Sequence, residues 1–342
     1  MWGWRKDFED AGRARGKFDY YERRLWLVIN RYVRKDLAES PHKTKGLTLL
    51  FGHATGVNKE AWEPTIMSLL KSRAGQDVEE IWVWDSVDSG DSALLNAGRL
   101  NQLSDWYDTA RDIAHFLFHY MPSGVVSDGL PVHLPRIPVA EFNSRINRGF
   151  SERKIVAISH SFSGAAVGRV CSSYPQLFTA MVFIDPAMIK HDLPVLKPSL
   201  NHMAQGAFAR EGIWKSRDEA LASLQKSLFY GVWHPDARKL YVECAMYPTE
   251  WGTIKLKMHP VWEALSYTNG KEPSGDMYER LPSLDGKIYI KWIMPDPKTG
   301  GGLGGNEASK LLVKRRPGRT SNVNILGAGH MIPQEKPKEV GE

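Results

Sequence analysis

The chain has 342 residues, which is enough for one large domain or two ordinary ones with a substantial buried core. Its composition, 42% hydrophobic and 25% charged, is typical of a globular protein, and no apolar run approaches the ~18 residues that a membrane span requires. The net charge of +6 arises from basic residues that are largely interspersed with acidic ones, so we predict no nucleic-acid partner.

The predicted elements of residues 18–186 alternate between strands and helices. In chain order they are one or two strands within 18–33, a strand at 47–51, a helix at 62–70, a strand at 80–84, a helix at 104–120, a strand at 155–158, a helix from Ala165 and a strand at 180–184. Ser104 is the predicted N-cap of the helix at 104–120. Residues 122–148 contain four prolines without periodicity, which predicts an inserted surface loop.

Residues 187–283 show mainly helical patterns, including a capping box in which Ser216 precedes Glu219 by three residues. A strand at 287–293, a helix at 307–315 and a strand at 323–326 then restore the alternation. Strands that alternate with helices indicate an α/β fold with a mostly parallel sheet and helices on both faces. The sequence therefore predicts a core formed by residues 1–186 and 284–342, with residues 187–283 inserted as a helical cap or lid.

Ser161 lies in a turn of small residues between a predicted strand and a predicted helix. This arrangement holds a serine on a strained turn with its hydroxyl clear of the sheet, where it can act as a nucleophile. The usual motif is Gly-x-Ser-x-Gly, whereas Ser159 and Ser163 replace both glycines here with the next smallest tolerable side chain. A serine-rich loop without chemistry is the alternative, but the order of strand, turn and helix favours the nucleophile.

A serine hydroxyl becomes a strong nucleophile when an imidazole takes its proton and a carboxylate orients that imidazole. His330 follows the last predicted strand in a glycine-containing turn, and we predict that it is the catalytic base. Asp185 and Asp296 each follow a strand too, so either could supply the carboxylate or merely cap a turn. We favour Asp185 slightly, because it follows a compact apolar strand while residues 295–305 are rich in glycine and proline.

Two backbone N–H groups are the predicted donors to the oxyanion that forms during acyl transfer. One belongs to Phe162, which follows the nucleophile, and the other to Thr55 in the loop after the strand at 47–51, with Ala54 as its neighbour. His53 in the same loop is predicted to have a structural role.

Two other patterns are assigned no ligand. Residues 300–305 match a dinucleotide fingerprint literally, but they lie too far beyond the strand and lack the acidic residue required about 20 positions later. The three aspartates within 85–91 do not have the spacing of a calcium loop. We therefore predict neither cofactor nor metal.

The aromatic residues expected in the cap could line an apolar substrate pocket: Trp214, Phe229, Tyr230, Trp233, Tyr241, Trp251 and Trp262.

Cysteine content and the chain ends bear on location. Cys171 and Cys244 are the only cysteines, which argues against a disulfide scaffold and fits a reducing compartment. The first residues reach Glu9 and Asp10 before any apolar stretch, unlike a signal peptide, and residues 340–342 are not a Ser-Lys-Leu-type peroxisomal address. We expect an intracellular location, cytoplasmic or peroxisomal.

The turn at Ser161, the loop at His53, residues 85–92 and the turn at His330 resemble those of the α/β-hydrolase superfamily. More narrowly, residues 52–56, 59–64, 300–305 and 329–333 are similar to the fungal branch that includes AK-toxin biosynthesis hydrolases and peroxisomal lipases. The resemblance implies a serine esterase or lipase-like enzyme acting on an ester or related acyl bond of an apolar small-molecule metabolite. It also suggests a place in secondary-metabolite biosynthesis.

Two departures from the superfamily pattern keep an alternative open. Serines replace both glycines beside Ser161, and only twelve residues follow His330, where a closing helix would normally continue. A non-hydrolytic use of the fold, as a pathway cyclase or lyase or as a binding protein, is therefore the second hypothesis.

Overall fold

The computed structural model describes residues 25–34, 46–100, 105–127, 129–194, 196–300 and 302–342. Its strands are β1 (Ile29–Val33), β2 (Leu47–Gly52), β3 (Val78–Trp84), β4 (Lys154–His160), β5 (Ala180–Ile184), β6 (Ile213–Trp214), β7 (Met246–Pro248), β8 (Ile254–Leu256), β9 (Tyr289–Pro295) and β10 (Thr320–Ile325). Its α-helices are α1 (Glu63–Lys71), α2 (Gly90–Leu95), α3 (Trp106–His119), α4 (Val139–Arg148), α5 (Phe162–Ser173), α6 (Leu196–Ala209), α7 (Arg217–Lys226), α8 (Pro235–Cys244), α9 (Pro260–Thr268), α10 (Lys271–Arg280), α11 (Gly305–Arg315), α12 (Ile332–Glu335) and α13 (Pro337–Gly341). Single 3₁₀ turns lie at Lys59–Trp62, Ala74–Asp77, Pro175–Leu177, Leu281–Ser283 and Pro297–Thr299.

Strands β1–β5, β9 and β10 form one central sheet in the order β1-β3-β2-β4-β5-β9-β10. β1 is antiparallel to β3, and every other neighbouring pair in this sheet is parallel. The loops that follow β2, β4, β5, β9 and β10 consequently leave the same edge of the sheet. This topology confirms the predicted α/β-hydrolase fold with a mostly parallel sheet, and it brings the predicted site residues to one edge.

Helices cover both faces of the central sheet. Because successive side chains of a strand point to opposite faces, Trp82 joins a core cluster on one face and Val83 joins a cluster on the other. Phe116 of α3 and Val167 of α5 pack into the first cluster, and Ile66 of α1 packs into the second. β2 and β3 are almost entirely buried, as expected for parallel strands with both faces covered.

The segment between β5 and β9 contains helices α6–α10 and also a small antiparallel sheet of order β6-β8-β7. The prediction of mainly helical patterns did not include this small sheet. The three strands have only two or three residues each, which is too short for any periodicity to appear in the sequence. Ser216 is the N-cap of α7, as predicted, and its side chain accepts a hydrogen bond from the Glu219 N–H at 3.1 Å. The predicted capping box is not completed, because Glu219 Oε2 accepts from Lys215 N at 2.5 Å rather than from Ser216 N.

Three local predictions for the first half of the chain needed correction or lie partly outside the described residues. α3 is capped by Asp105, whose carboxylate accepts hydrogen bonds from the N–H groups of Tyr107 and Asp108, and Ser104 lies outside the described residues. The loop predicted at 122–148 ends in helix α4, so the expectation of no periodicity was wrong there: Val139, Phe142 and Ile146 recur at helical spacing within its ten residues. β1 accounts for one early strand, whereas residues 18–24 are not described. In the described part of the chain, no helix is both long and apolar enough to cross a membrane.

Candidate active site

Ser161 lies between β4 and α5 in a backbone conformation that is rare for a residue with a side chain. Its φ of 59° and ψ of −124° are those of a strained turn. The turn is fastened on both sides, because the Ser161 N–H donates to Ile184 O at 3.2 Å and its carbonyl accepts from Ala187 N at 2.8 Å. The sharp turn lifts the side chain away from the strand, as the sequence context predicted.

Hydrogen bonding and close packing explain why serines are tolerated beside Ser161. The Ser163 hydroxyl donates to His160 O at 2.8 Å and accepts from His160 N at 3.1 Å, so it is satisfied within the turn. Gly164 leaves no room for a side chain, because a Cβ there would lie 2.5 Å from Pro186 Cβ. Ser159 is fully buried, and its hydroxyl has no hydrogen-bond partner among the described residues. The turn therefore needs small residues, but it does not need glycine at every position.

Ser161, His330 and Asp185 are joined by two hydrogen bonds. His330 Nε2 lies 3.0 Å from Ser161 Oγ, and His330 Nδ1 lies 2.5 Å from Asp185 Oδ2. A carboxylate only accepts, so Nδ1 carries the ring proton of a neutral imidazole and Nε2 is left to accept the serine proton. The arrangement is that of a nucleophile, a general base and an orienting acid.

The Asp185 carboxylate is held by the glycine-rich segment that precedes α11. Asp185 has a φ of +34°, and Leu303 N donates to its Oδ2 at 3.0 Å. Gly302 allows this approach, because a Cβ at that position would lie only 2.1 Å from Asp185 Oδ1. This contact between residues 300–305 and Asp185 was not predicted from the sequence.

Asp296, the alternative acid, has different partners. Its Oδ1 accepts from Lys298 N and its Oδ2 from Gly327 N, each at 2.9 Å. Hydrogen bonds from the N–H groups of Gly327 and Lys298 lower the pKa of this carboxyl below its ordinary value. Asp296 thus fastens the turn after β9 to the turn after β10, which is the turn-capping role that the sequence analysis left open.

The backbone on either side of His330 is held by a carboxylate that the sequence analysis did not consider. Glu335 Oε2 accepts from Gly329 N at 2.6 Å, and Oε1 accepts from Met331 N at 3.2 Å. His160 Nε2 lies 2.9 Å from the carbonyl oxygen of His330 itself. A glutamate five residues after the predicted catalytic histidine, at the end of a short helix, is the signal that could have identified this contact.

The two predicted oxyanion donors lie at the start of α5 and in the loop after β2. Phe162 is the first residue of α5, where backbone N–H groups have no acceptor within the helix. Thr55 is buried in the loop after β2, and its hydroxyl has no hydrogen-bond partner among the described residues. The Gly56 carbonyl of the same loop accepts from the hydroxyl of Tyr241 at 3.0 Å.

His53 fastens the Thr55 loop from inside the core. Its Nε2 accepts from Ser86 N at 3.0 Å, so Nδ1 carries the proton and donates to Ala54 O at 2.8 Å. Burial lowers the pKa of His53 to about 4, which keeps the ring neutral near neutral pH. This geometry is structural rather than catalytic, as the sequence analysis expected.

Of the three aspartates that follow β3, Asp85 and Asp91 pair with lysine side chains, and Asp88 accepts from the hydroxyl of Ser86 at 2.7 Å. Lys59 Nζ contacts Asp85 Oδ2 at 2.9 Å and Asp91 Oδ2 at 2.7 Å, and Lys257 Nζ contacts Asp91 Oδ1 at 2.5 Å. Lys59 N also donates to Asp85 Oδ1 at 2.8 Å, which ties this cluster to the end of the Thr55 loop. No group of three or more potential metal-ligating side chains occurs among the residues described.

Aromatic residues between β5 and β9 pack against the loops that contain Thr55 and His330. Trp214, Tyr230, Trp233 and Tyr241 form one apolar cluster with Ala54 of the Thr55 loop and with Met331, which follows His330. A cavity of about 210 Å³ beside this cluster is lined by Trp214, Tyr230, Tyr241, Leu224, Leu256 and Arg210, among others. Of the other aromatic residues considered for the pocket, Trp251 is largely exposed and Phe229 is about half exposed.

Comparisons with known proteins agree with this architecture. A model described as the alpha/beta hydrolase family matches residues 49–342. Among curated proteins, the type I acyl-CoA thioesterase mpaH of Penicillium brevicompactum is 26% identical over 203 residues, which are 58% of this chain but 39% of that protein. The abhydrolase domain-containing protein AFT2-1 of Alternaria alternata is 23% identical over 219 residues, 56% of this chain and 81% of that protein. The chain thus spans less than half of the thioesterase's length.

Among solved structures, the peroxisomal alpha-beta-hydrolase Lpx1 from Saccharomyces cerevisiae has a TM-score of 0.70 at 20% sequence identity. The superposition covers 93% of this chain and 80% of Lpx1. At this level of identity the likeness shows a shared fold.

Proposed function

The chain belongs to the alpha/beta hydrolase family, and from that premise we propose that it is a serine hydrolase that cleaves an ester or thioester bond of an apolar small molecule. The observation that carries the proposal is the unbroken chain of hydrogen bonds from Ser161 Oγ through His330 to Asp185. Asp185 is the proposed acid, because Asp296 uses both carboxylate oxygens on backbone N–H groups.

The proposed reaction follows from the positions of the protons. His330 Nε2 takes the proton from the Ser161 hydroxyl as Oγ attacks the substrate carbonyl carbon, and Asp185 stabilises the resulting imidazolium. The N–H groups of Phe162 and Thr55 are the proposed donors to the oxyanion. His330 then gives its proton to the departing alcohol or thiol, which leaves an acyl group on Ser161. A water molecule, activated by His330 in the same way, releases the acid.

The proposed substrate class has two sources of support. A cavity of about 210 Å³ lies beside the aromatic cluster, and its walls of Trp214, Tyr230 and Tyr241 offer an apolar site for an acyl or alcohol group. One relative is named a type I acyl-CoA thioesterase, so thioesters belong with esters among the candidates. A role in fungal secondary metabolism is part of the same proposal and is based on the resemblance of residues 52–56 and 300–305.

The test uses Ser161→Ala, with Ser173→Ala on the exposed side of α5 as its control. Wild type and Ser173→Ala are expected to react with a fluorophosphonate probe and to hydrolyse p-nitrophenyl esters and acyl thioesters of graded chain length. Ser161→Ala is expected to lose both properties while keeping its circular dichroism spectrum. Labelling of Ser161→Ala at the wild-type rate would disprove the assignment. A wild-type protein that neither labels nor hydrolyses any of these substrates would favour the non-hydrolytic hypothesis.

A further inference from the structure

His160, the residue before the proposed nucleophile, makes a hydrogen bond to the proposed catalytic base. Its side chain is fully buried at the end of β4, and its Nε2 lies 2.9 Å from the carbonyl oxygen of His330. A carbonyl oxygen only accepts, so this contact requires a proton on Nε2. The two imidazole rings are 5.1 Å apart, between centroids.

The surroundings of His160 keep this ring neutral and fixed in orientation. Burial lowers its pKa well below 6.5, and the neighbouring His330 ring acts in the same direction. Its Nδ1 is buried without a hydrogen-bond partner among the described residues, so nothing there accepts a proton from Nδ1, and the ring proton is placed on Nε2. The ring of Trp62 meets it edge to face, at 6.5 Å between centroids.

We propose that His160 is a positioning residue, which fixes the backbone of His330 so that His330 Nε2 stays within hydrogen-bond distance of Ser161 Oγ. Glu335 accepts hydrogen bonds from the N–H groups of the residues on either side of His330. The carbonyl oxygen of His330 itself accepts from His160. The contact joins the serine turn directly to the histidine loop, since His160 and Ser161 are adjacent in sequence. His160 must also remain uncharged, because His330 becomes a cation when it takes the serine proton and a second cation so close would oppose that transfer.

The test compares His160→Phe with His160→Gln and depends on the proposed hydrolytic function only for its kinetic readout. Phenylalanine keeps a ring but cannot donate, whereas the glutamine amide nitrogen lies as many bonds from Cα as histidine Nε2 and can donate. We expect His160→Phe to lower kcat by ~10–100-fold with KM changed by less than ~3-fold, because small displacements of catalytic groups act mainly on the chemical step. His160→Gln is expected to recover kcat to within ~5-fold of wild type. His202→Phe on α6, at an exposed histidine, is the control and should leave kcat unchanged.

A wild-type kcat in His160→Phe, or an equal loss of kcat in both variants, would overturn the positioning role. A measurement on the wild-type protein keeps the proposal testable if a variant does not fold. The ¹⁵N NMR shifts of the His160 ring should show the Nε2–H tautomer and a neutral ring at pH 6, and an Nδ1–H tautomer or a charged ring would contradict it. This readout needs no turnover, so its failure is distinct from failure of the proposed hydrolase activity.

Discussion

Replacing Gly302 by alanine should displace the carboxylate of Asp185, the proposed catalytic acid, although no proposed catalytic residue is itself replaced. An added Cβ would lie 2.1 Å from Asp185 Oδ1 and 2.4 Å from Oδ2, whereas real Cβ atoms essentially never approach another heavy atom within 3.0 Å. The carboxylate or the loop must therefore move by nearly 1 Å, which disturbs the bond between Asp185 and His330. A displacement of ~1 Å can cost ~10²-fold in rate, and complete loss of the acid costs ~10⁴-fold. We expect kcat to fall within that range.

Steady-state hydrolysis of a p-nitrophenyl ester measures this loss of kcat, and a thermal melt checks that Gly302→Ala remains folded. Gly286→Ala is the matched control, because an added Cβ there meets no atom within 4 Å. In an Asp185→Asn background the Gly302→Ala change should cost little more, since both changes act on the same hydrogen bond. Wild-type kcat in Gly302→Ala, or fully additive losses in the double variant, would refute the proposed role of this loop.

Three further predictions test the loops around the site. Glu335→Gln should lower kcat by ~10-fold, because an amide has one acceptor oxygen for the two N–H groups beside His330. The control Glu339→Gln should leave kcat unchanged. A wild-type kcat in Glu335→Gln would argue against a role of the Glu335 carboxylate in holding the His330 loop. His53 has a pKa of about 4 in the folded state against 6.5 ordinarily, so its stabilisation is complete above pH 6.5 and falls by about 3 kcal/mol as the pH approaches 4. Urea unfolding at pH 7 and pH 5 measures this effect: the free energy of unfolding should fall less between these pH values in His53→Gln than in the wild type. An equal fall in both proteins would contradict the lowered pKa of His53. Tyr241→Phe should cost about 1–2 kcal/mol in urea unfolding, because the buried Gly56 carbonyl loses its donor, and an unchanged midpoint would contradict that.

The sheet and its edge could be predicted from the sequence because most of its strands, β2–β5 and β9, are marked by a local apolar run. Ser161, Asp185, Asp296 and His330 each follow a strand, and the parallel order of the strands gathers their ends. Because Asp185 and Asp296 both follow a strand, however, their positions in the sequence did not show which of them bonds to His330. The distinction depends on which backbone N–H groups surround each carboxylate: Leu303 lies 118 residues from Asp185, and Gly327 lies 31 residues from Asp296.

The parts of the site that could not be predicted depend on contacts between distant segments. Gly302 appeared to belong to a nucleotide motif, because the sequence gives no sign that a carboxylate more than a hundred residues earlier lies against it. His160 was overlooked because its side chain bonds to a backbone carbonyl of a loop that is distant in sequence. The small sheet β6-β8-β7 was missed because two- and three-residue strands carry no period. In each case local propensity was uninformative, and tertiary packing determined the outcome.

The most direct test of the proposed triad is a paired measurement of kcat for Asp185→Asn and Asp296→Asn. Asp185→Asn should lower kcat by ~10⁴-fold with the fold intact, since His330 would lose the group that orients its ring. Asp296→Asn should retain kcat within a few-fold and lose some resistance to urea, because its carboxylate only accepts from backbone N–H groups of two turns. Loss of kcat in Asp296→Asn with activity retained in Asp185→Asn would contradict the proposed Ser161, His330 and Asp185 triad.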